Sequence, residues 1–348
     1  MLTLRHGLTV GPNAPIRVNC NIGCNSENEY AAELQKIYSI RDSGVLPDTL
    51  MDLSLVRVSK PLYSVAREQL RVETCTVLSY IPFKIGNGLD WDECRQYLIE
   101  LCEGGISFVT IHFTANSELY DLATGTRKVP VTSRGGGMCL YDILKKHRKQ
   151  NLFLQHIDEI AEIVKRYGVA ISLGATFRPS NIFDACDEVH IKETHAQLEI
   201  CRYLQSKDVK VLVENIGHIG LDKLEQHSAL LRKFQAPVMP LGPLPTDAAI
   251  GIDQVNNAIG ASFAAYWGCA HIINGITKNE HFKDSFTSED IIEGIRMAKL
   301  AAHIVNLSNG FGMDCDRNID FERANDKSCV IGNGQCNRCG SVCPLKLI

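Results

Sequence analysis

Short hydrophobic runs alternate with amphipathic stretches along most of the chain. The runs are rich in β-branched residues, which is typical of buried strands. The stretches between them have the helical period. In residues 156–168 the apolar side chains share one face, and Gly168 is a helix-stop signal; residues 92–105 follow a similar pattern. The eight predicted strands are residues 16–22, 49–54, 74–80, 108–113, 169–174, 209–215, 236–242 and 269–276.

Strands that alternate with helices predict a parallel sheet, and eight such units predict a (β/α)8 TIM barrel, which typically needs ~250 residues. A doubly wound sheet is less favoured because no Gly-x-Gly-x-x-Gly motif follows the first strand. We therefore expect three parts: an N-terminal segment (1–15), a barrel catalytic domain (16–310) and a C-terminal tail (311–348).

The composition is that of a globular protein, with 45% hydrophobic and 22% charged residues among 348. A net charge of −4 and the absence of long Lys/Arg runs argue against a nucleic-acid surface. The first residues lack a signal-peptide pattern, and no stretch approaches the ~20 apolar residues of a membrane span. We expect a cytoplasmic protein with neither nucleic acid nor membrane as a partner.

Three of the fourteen cysteines, Cys336, Cys339 and Cys343, form a C-x2-C-x3-C cluster near the C-terminus. The scattered ones are expected to be reduced and buried. For the cluster, a structural zinc needs a fourth ligand such as Cys329, and a disulfide leaves one thiol over. A ferredoxin run lacks a cysteine where Asn333 stands. A [4Fe–4S] cluster on three cysteines would leave one iron open. The spacing alone leaves these four interpretations open.

Side chains that can bind a ligand or take part in chemistry stand at or just beyond the carboxyl ends of most predicted strands, where a barrel builds its active site. Two of them, Asp52 and Asp247, are the ones most easily explained as caps of the following helices. The whole set is Asn21, Met51, Asp52, Tyr80, His112, Arg178, Glu214, His218, Asp247 and His281.

Two loops have the composition of a phosphate site. SRGGG (133–137) offers a hydroxyl, a guanidinium and glycine N–H groups, and GATFRPS (174–180) adds Arg178 at a strand-to-helix turn. His218 and His281 are candidate metal ligands, because both follow barrel strands and could face one cavity.

The motifs VNCNIGCNS, TIHF, SRGG, VENIGH and LGPLPTDAAIGID, followed by the three-cysteine tail, occur in the order found in phosphomethylpyrimidine synthase and hydroxybenzimidazole synthase. The chain resembles this family over about residues 16–345. The resemblance implies a non-classical radical S-adenosylmethionine (SAM) enzyme with a (β/α)8 barrel. In the family, a 5′-deoxyadenosyl radical rearranges aminoimidazole ribonucleotide, and the tail reaches over a barrel mouth of the homodimer.

The resemblance also implies roles for single residues. Glu214 would hydrogen-bond a substrate amine or hydroxyl, and His112 would relay a proton. His218 and His281 would hold zinc or iron, and Cys336, Cys339 and Cys343 would hold the [4Fe–4S] cluster, reduced by a flavodoxin or ferredoxin. The implied substrate-binding residues are Asn21, Met51, Tyr80, His112, Ser133, Arg134, Gly135, Arg178 and Glu214.

The chain also departs from the family pattern. Its tail is one residue shorter than the usual C-x2-C-x4-C, and SLGATFRPS stands for SLGDGLRPG, with Ala175 and Phe177 as the altered positions. Met239 replaces a tyrosine, and Gln254 a histidine. These changes predict a divergent, shortened paralogue with a rebuilt substrate wall and a different substrate.

Two other functions compete with radical chemistry. One is zinc-dependent hydrolysis at His218 and His281 with Glu214 as the base. The other is a non-catalytic metal-binding paralogue whose tail is clipped by zinc.

Overall fold

A curled parallel sheet forms the centre of the protein. The computed structural model describes residues 1–283, 285–332 and 336–347. Their strands are β1 (Leu2–Thr3), β2 (Thr9–Val10), β3 (Arg17–Ile22), β4 (Thr49–Asp52), β5 (Glu73–Val77), β6 (Phe108–Ile111), β7 (Ala170–Leu173), β8 (Val211–Val213), β9 (Ile216–His218), β10 (Leu241–Leu244) and β11 (Ile272–Asn274). Seven of them pair in parallel in the order β11-β3-β4-β5-β6-β7-β8. Seven of the eight predicted strands are thereby confirmed.

Residues 237–239 close this sheet into a barrel. On one side the Val213 N–H donates to the Pro237 carbonyl at 2.9 Å, and the Met239 N–H donates to Val213 at 2.8 Å. On the other side the His271 N–H donates to the Val238 carbonyl at 2.8 Å. The segment therefore joins β8 to β11 and takes the place of the eighth strand of a (β/α)8 barrel.

The predicted strand 236–242 was wrong in its extent. Its regular part lies later, as β10, and pairs with β9, a strand that the sequence analysis did not predict. Pro237 and Pro240 explain the difference, because a proline has no N–H to donate to a ladder. Residues 236–240 thus make only a single bridge, between Val238 and Val213.

The helices cover the outside of the sheet. Helix α7 confirms the predicted helix 156–168 and ends at Gly168, which has a φ of 68°. The helices are α1 (Tyr30–Ser43), α2 (Leu62–Leu70), α3 (Trp91–Glu103), α4 (Ser117–Thr126), α5 (Arg134–Lys145), α6 (Leu152–Gln155), α7 (Ile157–Tyr167), α8 (Glu188–Ser206), α9 (Leu221–Leu231), α10 (Asp253–Tyr266), α11 (Ser288–Ser308), α12 (Met313–Asp326) and α13 (Pro344–Leu347).

Two hydrophobic clusters fill the fold. The larger lies between sheet and helices, and the smaller fills the barrel interior with residues such as Met51, Phe108 and Met239. The N-terminal hairpin of β1 and β2 adds Leu4 and Val10 to the interior cluster. Residues 1–15 therefore pack against the barrel core.

The scattered cysteines behave largely as predicted. Cys20, Cys75, Cys94, Cys102, Cys139, Cys201 and Cys269 are free and buried, and Cys186 is half-buried. Where the chain is described, none of its helices combines the length and the apolar character that crossing a bilayer requires.

Helix α12 is long, yet none of its side chains is buried. It follows α11 and leads toward the cysteine-rich tail, so the predicted domain boundary at 310/311 falls between these two helices.

Candidate active site at the carboxyl end of the barrel

His112 is the centre of the site. It follows β6, is 4% exposed, and its Nε2 lies 2.8 Å from the Ser133 hydroxyl. Gly135 and Gly174 close over the ring: a Cβ atom would come within 2.4 Å of it at Gly135 and 2.7 Å at Gly174. Residues 134–137, predicted as a loop, are the first turn of α5; only glycine permits this turn and the loop after β7 to approach one imidazole so closely.

The protonation of His112 follows from its surroundings. Burial, together with the nearby Arg178 guanidinium, lowers the pKa of His112 to about 3. The imidazole is therefore neutral near pH 7, and a proton relay through an imidazolium is disfavoured. Within the described residues the buried Nδ1 has no hydrogen-bond partner.

Ser133 begins helix α5 and orients its N-terminus. Its hydroxyl accepts the Gly136 N–H at 3.1 Å, and the exposed Arg134 guanidinium lies 5.5 Å from the centre of the Tyr80 ring. The positive end of a helix and a guanidinium together attract an anion. The absent side chain of Gly135 makes room for His112, which the sequence analysis did not predict.

Two residues that the sequence analysis missed hold the loop of Arg178. The buried Glu193 carboxylate accepts the N–H groups of Thr176 and Phe177 at 2.6 and 2.7 Å. The buried Arg127 donates to the Phe177 carbonyl at 2.6 Å and pairs with Asp187. A buried acid and a buried arginine rarely lack a partner, but sequence alone does not say which loop they bind.

Arg178 itself is half-buried beside Glu214. Its Nη1 donates to the Ala175 carbonyl at 3.2 Å. Burial lowers the pKa of Arg178, and the neighbouring Glu214 and Tyr80 oppose that shift. A phosphate would compensate this partly desolvated cation.

Glu214 follows β8 and is 4% exposed. Its Oε1 accepts the hydroxyls of Thr110 and Ser172 at 2.5 and 3.0 Å. Burial raises the pKa of Glu214, and both hydroxyls and Arg178 oppose the rise. The carboxyl group is positioned by two neighbouring strands, as a substrate-orienting group should be.

His218 and His281 come together as the sequence analysis expected. Their ring centres are 5.1 Å apart, and their Nδ1 atoms lie 2.7 Å from Asp247 and 2.9 Å from Asp253. Metal-binding histidines usually donate their second N–H to a carboxylate. Each Nδ1 is held in this way, so each Nε2 is left to face a metal. The donor set fits Zn²⁺ or Fe²⁺.

The two aspartates at strand ends differ in role. Asp52 accepts the Tyr63 N–H at 3.0 Å and so caps α2, as expected. Asp247 is not a helix cap: besides His218 it accepts the Ile182 N–H at 3.1 Å. The cap explanation is therefore wrong for Asp247.

The positions that depart from the family pattern lie in different layers. Phe177 is fully buried in the outer core, so its expected place in the substrate wall is wrong. Met239 is also fully buried and belongs to the interior cluster together with Met51 and Tyr80. Ala175 is buried, and Gln254 donates to Glu293 at 2.9 Å.

The remaining predicted residues lie at the ring and in the tail. Asn21, at the end of β3, is half-buried and accepts the Asn19 amide at 2.7 Å. In the tail, Cys336 is half-buried, Cys339 exposed and Cys343 buried, and Cys329 is exposed. Asn333 lies outside the described residues. The cluster role of the tail cysteines stays a prediction.

A sequence model described as "Radical SAM ThiC family" matches residues 3–328, nearly the whole barrel and the helices that follow it. The chain belongs to the radical SAM ThiC family. Membership in the radical SAM ThiC family implies a [4Fe–4S] cluster and SAM. The match ends before Cys336, so the three tail cysteines lie beyond it.

The chain also resembles solved structures, at low sequence identity. A dihydropteroate synthase from Yersinia pestis is 13% identical, with a TM-score of 0.48 over 87% of this chain and 98% of that one. One from Coxiella burnetii is 11% identical, with a TM-score of 0.49 over 88% and 98%. An N-acetylneuraminic acid synthetase from Leptospira borgpetersenii is 10% identical, with a TM-score of 0.43 over 88% and 92%.

Proposed function

We propose that the protein is a radical SAM lyase or synthase that rearranges a phosphorylated, nucleotide-like substrate. Aminoimidazole ribonucleotide or an analogue is the substrate class, and thiamin pyrimidine, benzimidazole or related cofactor synthesis is the setting. One observation carries the proposal: in a ThiC family member, the imidazole of His112 is clamped between the first turn of α5, which carries Arg134, and the loop that carries Arg178.

Two guanidinium groups define the proposed phosphate end of the site. Burial raises the pKa of Tyr80, and the positive charges of Arg134 and Arg178 oppose this, so both guanidinium groups lie near the phenol. Glu214 is the acid that interacts with Arg178 from inside the barrel. A phosphate at this end would meet three groups that attract an anion: Arg134, Arg178 and the N-terminus of α5.

The other end of the site is suited to orienting a base or ribose. Glu214 and His112 line it, and Asn21, Met51 and Tyr80 stand at the neighbouring strand ends. With its Nε2 at Ser133, His112 keeps Nδ1 for a substrate hydrogen bond in the neutral state. The departures from the family pattern at Ala175, Met239 and Gln254 are the sequence basis for proposing a substrate different from the family's usual one.

The cofactors have residues of fitting chemistry. Cys336, Cys339 and Cys343 would hold the [4Fe–4S] cluster and leave one iron for SAM, and His218 and His281 would hold a metal ion. When bound, the cluster and SAM supply one-electron chemistry for hydrogen abstraction. The barrel then orients the substrate and excludes water. We propose a flavodoxin or ferredoxin as the electron donor.

Anaerobic turnover tests the proposal. Reconstituted protein is mixed with SAM, a reductant and a panel of ribonucleotides that includes aminoimidazole ribonucleotide, and the products are read by mass spectrometry. We expect 5′-deoxyadenosine whose formation depends on one phosphorylated nucleotide. If no nucleotide promotes its formation, the proposed function is wrong. Conversion of aminoimidazole ribonucleotide itself would contradict only the proposal of an altered substrate and would leave the radical SAM function standing.

Zinc hydrolysis is less favoured than radical chemistry. A hydrolytic base should lie close to the metal-bound water. The described contacts of Glu214 are instead with Thr110 and Ser172, on strands of the barrel interior. Visible absorbance that bleaches on reduction would separate the cluster from colourless zinc, and also from a zinc-clipped, non-catalytic protein.

Alanine at His218 or at His281 is expected to weaken binding of the non-cluster metal by ~10–100-fold. Each change removes one of two facing imidazoles, whose second nitrogens are fixed by Asp247 and Asp253. Metal content is measured in protein prepared without the cluster. His303, which pairs with Asp316 at 2.7 Å elsewhere, is the matched control. Equal metal content in wild type and both variants would contradict a metal site at His218 and His281.

We further propose a homodimer that is formed through α10 and the helices beside it. Helix α11 packs against α10, and α12 buries none of its own side chains. A helix of this length without packing is marginal in water. Exposed apolar residues at steps of three or four form a stripe along α10: Ile252, Val255, Ile259, Phe263 and Tyr266.

Glutamate at Ile259 is expected to convert the dimer to a monomer, because it places a charge in the middle of the apolar stripe. Light scattering after gel filtration gives the mass. Glutamate at Ile85, which is also exposed but far along the chain, should leave the dimer intact. A wild-type protein that is monomeric at micromolar concentration would contradict the proposal.

A further inference from the structure

Outside the site described above, three side chains capable of binding a metal meet behind the barrel wall. Cys186 lies just before α8, His190 in its first turn and His227 on α9. One ligand atom from each lies within 4.8 Å of the other two. His190 and His227 are buried, and their ring centres are 4.3 Å apart. We propose that Cys186, His190 and His227 bind a divalent transition-metal ion, zinc above all, which joins the loop of Arg178 to α9.

The hydrogen bonds around Asn215 determine which nitrogens could bind the ion. Gln197 donates its amide N–H to the carbonyls of Leu173 and Glu214, so its Oε1 faces the Asn215 amide nitrogen at 2.7 Å. The Asn215 Oδ1 must then point the other way, and the Ile216 N–H confirms this by donating to it at 2.6 Å. The orientation of Asn215 is therefore fixed by backbone groups.

The Asn215 Oδ1 atom determines the tautomer of both imidazoles. The Nε2 atoms of His190 and His227 lie 3.1 and 2.8 Å from Asn215 Oδ1, which can only accept. Each Nε2 thus carries the proton, and each Nδ1 keeps a lone pair. This is the arrangement that outer hydrogen-bond acceptors impose on metal-binding histidines.

The lone pair of His227 lacks a partner. In the part of the chain that the structure describes, its buried Nδ1 accepts no hydrogen bond, although buried polar atoms nearly always have one. The Nδ1 of His190 accepts only the Cys186 N–H, at 3.2 Å. A cation placed among these atoms would use both lone pairs.

The backbone of Cys186 supplies an independent argument. Its φ is 60°, in the left-handed region that asparagine and glycine occupy at lower cost than cysteine. A cysteine at this position suggests that the thiol is used. Cys186 is half-buried, so a metal would have access from solvent and a coordination position for water.

The donor set indicates the class of metal. One thiolate and two neutral imidazoles suit Zn²⁺, at about 2.3 Å for sulfur and 2.0–2.1 Å for nitrogen. The ion would hold the segment between Arg178 and α8 against α9, the helix that follows His218.

The test separates this site from the other proposed ones. In the full-length parent protein, Cys329, Cys336, Cys339 and Cys343 are replaced by serine, and His218 and His281 by alanine. Zinc is titrated against a competing chromophoric chelator. We expect one tight zinc per chain, and a ~10–100-fold weaker affinity after Cys186→Asn. Asparagine tolerates the left-handed backbone, so this variant should fold at least as well as the parent.

Cobalt adds a readout of the ligand itself. Co²⁺ bound to the parent should show a thiolate-to-metal charge-transfer band that Cys186→Asn lacks. His195→Ala, an exposed histidine on the same helix, should bind zinc as the parent does. Equal zinc affinity in the parent and Cys186→Asn, binding only at millimolar zinc, or a cobalt spectrum without the band would overturn the proposal. Because the parent lacks the other metal ligands, these results are independent of the radical chemistry.

Discussion

Alanine at Cys339 is expected to abolish the [4Fe–4S] cluster and all SAM cleavage, whereas alanine at Cys329 should preserve both. Three thiolates leave one iron without a protein ligand, which is the position that SAM requires; a fourth thiolate would occupy it. Iron and sulfide content, and visible absorbance that dithionite bleaches, measure the cluster after anaerobic reconstitution. Formation of 5′-deoxyadenosine measures the cleavage.

The pair of variants is well matched, because Cys329 and Cys339 are both exposed and neither change removes core packing. Any difference between them therefore reports on ligation. Cys336→Ala and Cys343→Ala should resemble Cys339→Ala. A Cys329→Ala protein as poor in iron as Cys339→Ala would indicate four protein ligands, and the radical mechanism would then fail.

Arg178→Ala is expected to weaken binding of the phosphorylated substrate by roughly one to two decades. A charge-assisted hydrogen bond contributes about 1.5–3 kcal/mol, and each 1.4 kcal/mol corresponds to about a tenfold change in affinity. Binding of the dephosphorylated nucleoside should hardly change. Calorimetric titration of both ligands into anaerobic protein gives the two ratios. Arg178→Lys keeps the charge but loses the planar fork, and should fall between wild type and alanine.

The more exposed Arg134 and the buried Ser133 provide comparisons. Arg134→Ala should lose less affinity than Arg178→Ala, because solvent screens its charge. Ser133→Ala should lose affinity and also loosen the start of α5, which a lower melting temperature would show. Were Arg178→Ala to weaken both ligands equally, the arginine would act on the base or ribose, and the phosphate clamp would be excluded.

The barrel could be predicted from sequence because its strands and helices are strongly patterned. Strands such as β6 and β8 are short and largely apolar, and α7 has an apolar stripe that ends at Gly168. The run 236–242 was harder, because its apolar residues are interrupted by prolines. Apolar periodicity predicts burial, but the missing N–H groups decide which residues pair.

The candidate site was partly predictable for a similar reason. Strand ends meet at one rim, so His218 and His281 could be expected to approach each other despite their separation in sequence. Their partners Asp247 and Asp253 come from loops and helix starts, whose side-chain directions no periodicity fixes. Glu193 and Arg127 were missed for the same reason: each binds backbone groups of a loop distant in sequence.

The clamp on His112 has a consequence for engineering specificity. Gly135 lies in the first turn of α5 and Gly174 follows β7, yet both touch the same imidazole ring, so either segment can be exchanged alone only if its glycine is kept. A chimera that imports one loop with any larger residue at either position would drive a Cβ atom into His112. Directed evolution of this rim is therefore constrained: a residue larger than glycine at 135 or 174 can be accommodated only together with a smaller side chain at 112.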